Sequence, residues 1–386
     1  MSVTRPTWAP LTGATRAIAV EVLLHGPLPR SELARRLRLS PGSVTRLATP
    51  LLECGLLVEA GAQREARSGR PTRPLDVVPE AHHFIGVKVT GEEAHAALTT
   101  LRAEVVATNR STLDGKDPDA VVATVRRLAV ELARDVPHVT ALGVSIGGTA
   151  PDHTTVTAAP FLGWTGDVPF GRLLAAATGL PTVVDNDLLA LTRGEHWFGA
   201  ARGHDRFALL TIGDGVGYGL VMHGEVVDSP DAGVGLAGHL PLDPLGPPCP
   251  DGHRGCATAM LTGPSIRAWV STGLQREVTY DECLDLAAAG NPVAETVVAD
   301  AGRALGRLIA VVANLTMSQK IILTGEGVRL AEVARDAVDE GIRHDRDPRC
   351  RPLSLDVVPV DFTQWARGAA ATAIQNYLLN GHAAMP

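Results

Sequence analysis

Apolar residues recur at helical spacing through RAIAVEVLLHG (16–26), and Gly26 breaks the pattern. The same period resumes within residues 28–57. Ser31 is placed to cap a short helix that turns Leu33, Ala34 and Leu37 inward. Ser40 caps the next helix, with Pro41 at its first position, where a missing N–H costs nothing. Val44, Leu47, Leu51 and Leu52 give that helix a buried stripe, Gly55 ends it, and Pro50 predicts a kink. Residues 56–79 read as a strand, an arginine-rich loop and a returning strand. From about residue 82 strands alternate with helices. Strands are predicted at 83–89, 93–100, 103–109, 139–148 and 181–187, and helices at 117–136 and 188–201. Residues 206–227 form two strands joined through a glycine-rich turn. Two long helices, a strand at 319–325 and a last helix at about 364–380 complete the chain. Such βα alternation with antiparallel additions predicts a two-lobed α/β fold with a cleft.

A chain of 386 residues exceeds one hydrophobic core, so two or three domains are expected. The pattern divides it into a head, 1–80, and a body, 81–386. Charge follows the same division. Residues 1–75 hold eleven arginines against five glutamates, with no lysine or aspartate, whereas the whole chain carries −7. A basic head on an acidic body points to a polyanionic partner. Two short helices joined by a tight turn, followed by a basic hairpin, read as a winged helix-turn-helix. Ser43, Thr45 and Arg46 then lie near base edges. The wing carries Arg64, Arg67, Arg70 and Arg73, and SGRP (68–71), with Gly69 and Arg70, resembles minor-groove hooks that favour narrow, A·T-rich DNA. A trihelical dimerisation module is the alternative for the head. No apolar run is long enough to span a membrane and the N-terminus lacks an apolar leader, so a cytoplasmic protein is expected. The odd count of five cysteines argues for reduced thiols.

The order of the body's motifs resembles the ROK family of bacterial sugar kinases and sugar-responsive transcription regulators. The stretches are GVSIGGTAPD (143–152), FLGW (161–164), VVDND (183–187), IGDGVGYG (212–219), GLAGH (235–239) and a pair of cysteines at 249 and 256. The head is similar to the winged helix-turn-helix of the regulator branch. The resemblance implies an actin/hexokinase-like body, with lobe one at about 81–200 plus the C-terminal helix and lobe two at about 201–363, and a small-molecule site at Gly147, Gly148, Asn186, Asp187 and His239. In family kinases the Asp of the Asn-Asp pair takes the proton from the sugar hydroxyl; the pair can equally cap the following helix. Trp164 is a candidate ligand-stacking ring or a core residue.

Departures from the kinase pattern sharpen the expectation. Where family kinases carry Asp-x-Gly-x-Thr, this chain has Lys88, Thr90 and Glu92, and the second phosphate turn reads Gly213-Asp214-Gly215. Carboxylates at phosphate positions repel a nucleotide, so no ATP is expected and Gly213, Gly215, Gly217 and Gly219 remain for backbone geometry. Leu236 and Thr258 replace two glutamates that accept sugar hydroxyls in the family, each loss costing about 1.5–3 kcal/mol of ligand binding. Members of the family hold a structural zinc with one His and three Cys, so the resemblance implies zinc at His239, Cys249 and Cys256 with Asp251 in place of the middle Cys, and His253 as an alternative fourth ligand. The expectation is a non-enzymatic transcription regulator, most simply a repressor. Its partners would be double-stranded operator DNA, a sugar-like effector and further copies of itself as a dimer or tetramer. The alternative is an active sugar kinase with a fused DNA-binding head.

Overall fold

The computed structural model describes residues 11, 13–61, 63–64, 71–229, 231, 233–359 and 361–380. Its contacts divide the chain into two compact units, Met1–Ala190 with Trp365–Pro386, and Leu191–Gln364.

The first unit opens with three helices, α1 (Gly13–His25), α2 (Arg30–Arg36) and α3 (Pro41–Glu53). Ile18, Ala19, Val22 and Leu23 of α1, Leu33 and Ala34 of α2, and Val44, Ala48 and Leu51 of α3 form their shared core. The buried stripe of α3 therefore runs through Ala48, and Leu47 and Leu52 lie at its half-buried margins. Ser40 caps α3 as expected, its hydroxyl accepting from the Ser43 amide at 3.1 Å. Ser31 does not cap α2. That role falls to Pro29, whose φ of −61° and ψ of 147° already lead into the helix, so α2 starts before Ser31 is reached. Between the helices Arg38 adopts φ +52° while the Leu39 amide reaches back to Ala34 O at 2.9 Å, a tight turn made without glycine. The helix runs through Pro50 to Glu53. Four short strands follow: β1 (Val58–Glu59), β2 (Gln63–Arg64), β3 (Pro71–Thr72) and β4 (Leu75–Asp76). β1 pairs antiparallel with β4 and β2 with β3, the expected wing.

A five-stranded sheet then forms from β5 (His83–Val89), β6 (Glu93–Thr100), β7 (Val105–Thr112), β8 (Ala141–Ile146) and β9 (Thr182–Asn186). Its order is β7-β6-β5-β8-β9, with β5–β6 and β6–β7 antiparallel and β5–β8 and β8–β9 parallel. α4 (Pro118–Leu132), capped by Asp117, and α5 (Phe170–Thr178) cross between strands; α5 carries no signal that the periodicity picked out. α6 (Asp187–Phe198) leaves the end of β9.

The second unit repeats the plan with β10 (Arg206–Ile212), β11 (Val216–Met222), β12 (Glu225–Val226), β13 and β14. The sheet order is β12-β11-β10-β13-β14, with β10–β11 and β11–β12 antiparallel and β10–β13 and β13–β14 parallel. Its helices are α7 (Ala257–Leu261), α8 (Gly263–Leu274), α9 (Tyr280–Ala288) and α10 (Pro292–Thr316). After β13 (Lys320–Thr324) come α11 (Leu330–Val333), α12 (Arg335–Asp345) and β14 (Ser354–Val357). α10 and α12 cross closely because Gly306 and Gly341 leave no room for a side chain: a methyl on either would strike the other helix's backbone.

The chain ends in α13 (Phe362–Asn380), whose residues from Trp365 onward belong to the first unit. It lies directly on the first sheet. A methyl at Gly86 would collide with the Ala366 carbonyl and one at Gly143 with the Ala369 carbonyl. These glycines share one row of the sheet, and Lys88, Ser145 and Asp185 share the next row on the same face. Among the described residues no helix is long and apolar enough to cross a membrane.

Candidate functional site

In the head, the start of α3 exposes Thr45 and Arg46 and half-buries Ser43. The Ser43 hydroxyl lies 2.9 Å from the Ser40 hydroxyl, and Thr45 Oγ1 donates to Pro41 O at 3.1 Å. Arg67, Gly69 and Arg70 fall outside the described residues. Much of the arginine excess is compensated locally. Arg35 and Arg36 both bond Glu32, Arg36 also reaches Glu21 at 2.7 Å, and Arg30 pairs with Glu59 at 2.7 Å. The two guanidiniums hold the Glu32 carboxyl down at about 2. These arginines knit the elements of the head together, while Arg46 on α3 is exposed.

The Asn186-Asp187 pair sits where β9 passes into α6. Asn186 is the cap. Its Oδ1 accepts from the Leu188 and Leu189 amides at 3.0 and 3.2 Å, while its Nδ2 donates to Gly148 O at 2.8 Å. Asp187 is held differently. Its Oδ2 forms an ion pair with Lys88 Nζ, and both side chains are largely buried. The ammonium also lies over the Trp365 ring, 5.2 Å from its centroid. Lys88 thus occupies the place expected to distinguish this chain from kinases, and it is joined to the base position 99 residues away.

Gly147 faces this pair: a methyl there would lie 3.0 Å from the Phe161 ring and 3.5 Å from Asp187 Oδ2. At Gly148 the space is filled by the Ala158 carbonyl, so that glycine serves the chain's own packing. Phe161 is 63% exposed, and its ring and the Asp187 carboxylate both border Gly147. Nothing in FLGW (161–164) distinguishes Phe161 from Trp164 as the ring beside the glycine. Trp164 is a core residue: it is buried, packs edge-on to Phe170 at 5.1 Å and donates its indole N–H to Lys116 O at 2.6 Å.

The two turns expected at phosphate positions are closed on themselves. Thr90 Oγ1 accepts from the Glu92 and Glu93 amides at 3.2 and 2.9 Å. In the second unit the Gly213 amide donates to Gly215 O at 3.0 Å. A methyl at Gly213 would strike the carboxylate of Glu326, so a second acid lies near Asp214. Glu326 stands between Gly325 and Gly327, a pattern that alone does not announce proximity to residue 213. Gly219 packs against Thr192, whereas Gly215 faces open space. None of Gly213, Gly215 or Gly219 has a positive φ, so the glycines at 213 and 219 serve close packing and not a left-handed turn.

His239, Cys249, His253 and Cys256 bring one ligand atom each to within 4.8 Å of one another. His239 Nδ1 lies 3.3 Å from His253 Nε2 and 3.8 Å from Cys249 Sγ. A tetrahedral zinc with bonds of about 2.0–2.3 Å places its ligands roughly 3.5 Å apart, so this donor set fits. Asp251 stands outside it. Its carboxylate meets the other ring nitrogen, His239 Nε2, at 3.2 Å. The reason is the turn itself. The Cys249 amide donates to His253 O at 2.7 Å and folds His253 back, while Asp251 remains at the exposed tip. Burial and the neighbouring Cys249 raise the Cys256 thiol. All five cysteines are free.

A sequence profile of the ROK family matches residues 84–373. The DNA-binding transcriptional repressor Mlc of Escherichia coli is 25% identical over 95% of this chain and 94% of its own length. The crystal structure of a ROK family transcriptional regulator, a homologue of that Mlc, superposes with a TM-score of 0.78 at 25% identity, covering 95% of this chain and 98% of the other. The glucokinase of Thermotoga maritima is 32% identical, but over only 54% of this chain and 65% of its own. The repressor-like matches take in the head as well as the body. The paired five-stranded sheets, the Asn-Asp corner and the His-Cys loop are therefore explained together: the chain belongs to the ROK family.

Proposed function

We propose that this protein is a DNA-binding transcriptional repressor whose body recognises a sugar-like effector and does not phosphorylate it. The observation that carries the reading is the Lys88–Asp187 ion pair. A general base must turn an open oxygen to the substrate hydroxyl, whereas the fixed Lys88 ammonium already occupies Oδ2 of this carboxylate. The carboxylate can still accept a hydrogen bond from a ligand hydroxyl. The closed turns at Thr90 and Gly213 support the same reading, because their amides bond within the turn. Glu92, Asp214 and Glu326 set carboxylates near those turns, unfavourable for a triphosphate. Arg46 on α3 and the Gly-Arg-Pro wing are the groups assigned to DNA, with an A·T-rich operator and two heads of a homodimer or tetramer addressing a pseudo-palindrome. A DNA operator places the protein in the cytoplasm.

His239, Cys249, His253 and Cys256 would hold a structural zinc, with Asp251 orienting His239 through its second nitrogen. Four protein ligands leave no open position, so the metal would supply rigidity to the loop.

The test pairs two measurements. Binding-site selection from fragmented genomic DNA, followed by gel shifts, is expected to yield a palindromic site whose log affinity falls linearly with log salt. A coupled ATPase assay across a hexose panel is expected to show no turnover. The similarity to a glucokinase favours the second reading, an active kinase with a DNA-binding head. Turnover that Asp187→Asn abolishes would establish it.

A further inference from the structure

We propose that Arg102 is the positioning residue that holds the head against the first sheet, and that α13 carries the state of Asp187 to it. Arg102 stands at the tip of the β6–β7 turn. Its Nε donates to Leu23 O at 3.1 Å, and its Nη2 to Val22 O at 3.4 Å, Gly26 O at 3.3 Å and Asp76 Oδ1 at 2.5 Å. The carbonyls of residues 22 and 23 lie in the last turn of α1 and that of Gly26 just beyond it, where the helix dipole is negative; the Val22 carbonyl also accepts from the Gly26 amide at 2.8 Å. Asp76 lies on β4, the strand that ends the wing. One guanidinium therefore grips a helix and a wing strand of the head together. Gly26 admits it: a methyl there would lie 2.6 Å from Asp76 Oδ1 and 3.1 Å from Arg102 Nη2.

The turn that presents Arg102 is stiff. Thr100 Oγ1 accepts from the Arg102 and Glu104 amides at 3.2 and 3.3 Å, and Ala103, fully buried, is held at φ +54°. Its carbonyl accepts from Arg367 Nε of α13 at 2.8 Å. Two residues earlier on α13, Trp365 supports the Lys88 ammonium that pairs with Asp187. Further along, Thr372 Oγ1 lies 3.3 Å from Gly368 O and 3.5 Å from Asp185 Oδ2. A ligand hydroxyl that draws Asp187 away from Lys88 releases the cation against Trp365. The helix start then passes the shift through Arg367 and Ala103 to Arg102. This contiguous set of rigid elements links the sensing corner to the head.

Hydrogen–deuterium exchange on the full chain tests both halves without an effector. Arg102→Ala is expected to speed exchange at residues 22–28 and 75–77 by about tenfold or more, while the amides of β5, β8 and β9 keep their protection. Arg102→Lys, which keeps the charge toward Asp76 and loses the fork, falls between. Asp187→Asn is expected to change exchange at residues 22–28 in the Arg102 chain and to leave it unmoved in the Arg102→Ala chain. Unchanged head exchange in Arg102→Ala overturns the first half. An Asp187→Asn effect that is absent, or equal in both backgrounds, overturns the second. If Arg102→Ala loses protection throughout, Arg102→Lys and Asp76→Asn carry the same comparisons. The inference rests on the repressor reading only for its biological consequence. A gel shift on genomic DNA fragments separates the two, since failure to bind DNA with the exchange coupling intact sinks that reading alone.

Discussion

Lys88 and Asp187 meet as an ion pair between distant parts of the first unit. Each is intelligible only beside the other, since a largely buried ammonium and carboxylate are tolerated when paired. Lys88→Met is expected to destabilise the first unit by up to about 3 kcal/mol, because it strands the carboxylate, and the double variant Lys88→Met/Asp187→Asn is expected to recover most of that loss. Chemical denaturation of the two singles and the double measures the coupling; additive losses would show that the pair is not energetically joined. The metal loop gives a second prediction at this scale. His253→Ala is expected to abolish tight zinc retention, whereas Asp251→Asn leaves one zinc per chain bound more weakly, about 10–100-fold. Zinc content after dialysis against a chelator distinguishes them, and the reverse ranking would restore Asp251 as the ligand. The sequence offered both residues, two positions apart, and only the backbone turn selects His253.

Single elements were legible to the extent that their signals are local. Ser40 and Pro41 announce the start of α3 because a cap acts on amides two and three residues away. Ser40→Ala is expected to cost the head about 1 kcal/mol, read as a lower melting temperature for its helices, and no change would remove the cap from the account. Ser31 carried the same chemistry but lost to Pro29, whose fixed backbone starts α2 earlier. The arginines of α2 add to the basic excess of the head, yet Glu21 and Glu32 hold Arg35 and Arg36. Partners on the same helix could be anticipated from their spacing, whereas Glu21 lies on another helix. That the last helix joins lobe one was expected; which of its residues meet the sheet was not legible, since residues 366–373 are mostly small and buried nearly all round. Gly86 and Gly143 determine it by admitting the helix backbone to the sheet. Gly86→Ala is expected to destabilise the first unit by about 1–3 kcal/mol or more through forced displacement of α13, measured by denaturant unfolding. A neutral result would contradict the close approach.

At the scale of the whole molecule, acid sensitivity is built into both units. Burial holds the His82 imidazole down at about 4 in the first unit, aided by His138 and His83, and burial alone holds His196 at about 4 in the second. The unfolded chain takes up these protons near pH 6.5 while the folded chain resists until about pH 4. Stability is therefore full above about pH 6.5 and falls as the pH drops toward 4, with His82→Asn and His196→Asn each flattening the decline. A denaturation series showing the same slope in the variants would refute the assignment. The same distinction between local and distant causes separates what the sequence determined from what the tertiary structure decided. Periodicity, caps and the order of motifs determined the winged head, the strand and helix alternation and the family resemblance, because each is written within a few residues or in their succession. The pairing of Lys88 with Asp187, the exclusion of Asp251, the core burial of Trp164 beside the exposed Phe161, and the grip of Arg102 on α1 were decided only by folding. In each of these, groups far apart in the chain, or facing differently around a turn, acquire their partners through sheet register and helix packing, which no local pattern specifies.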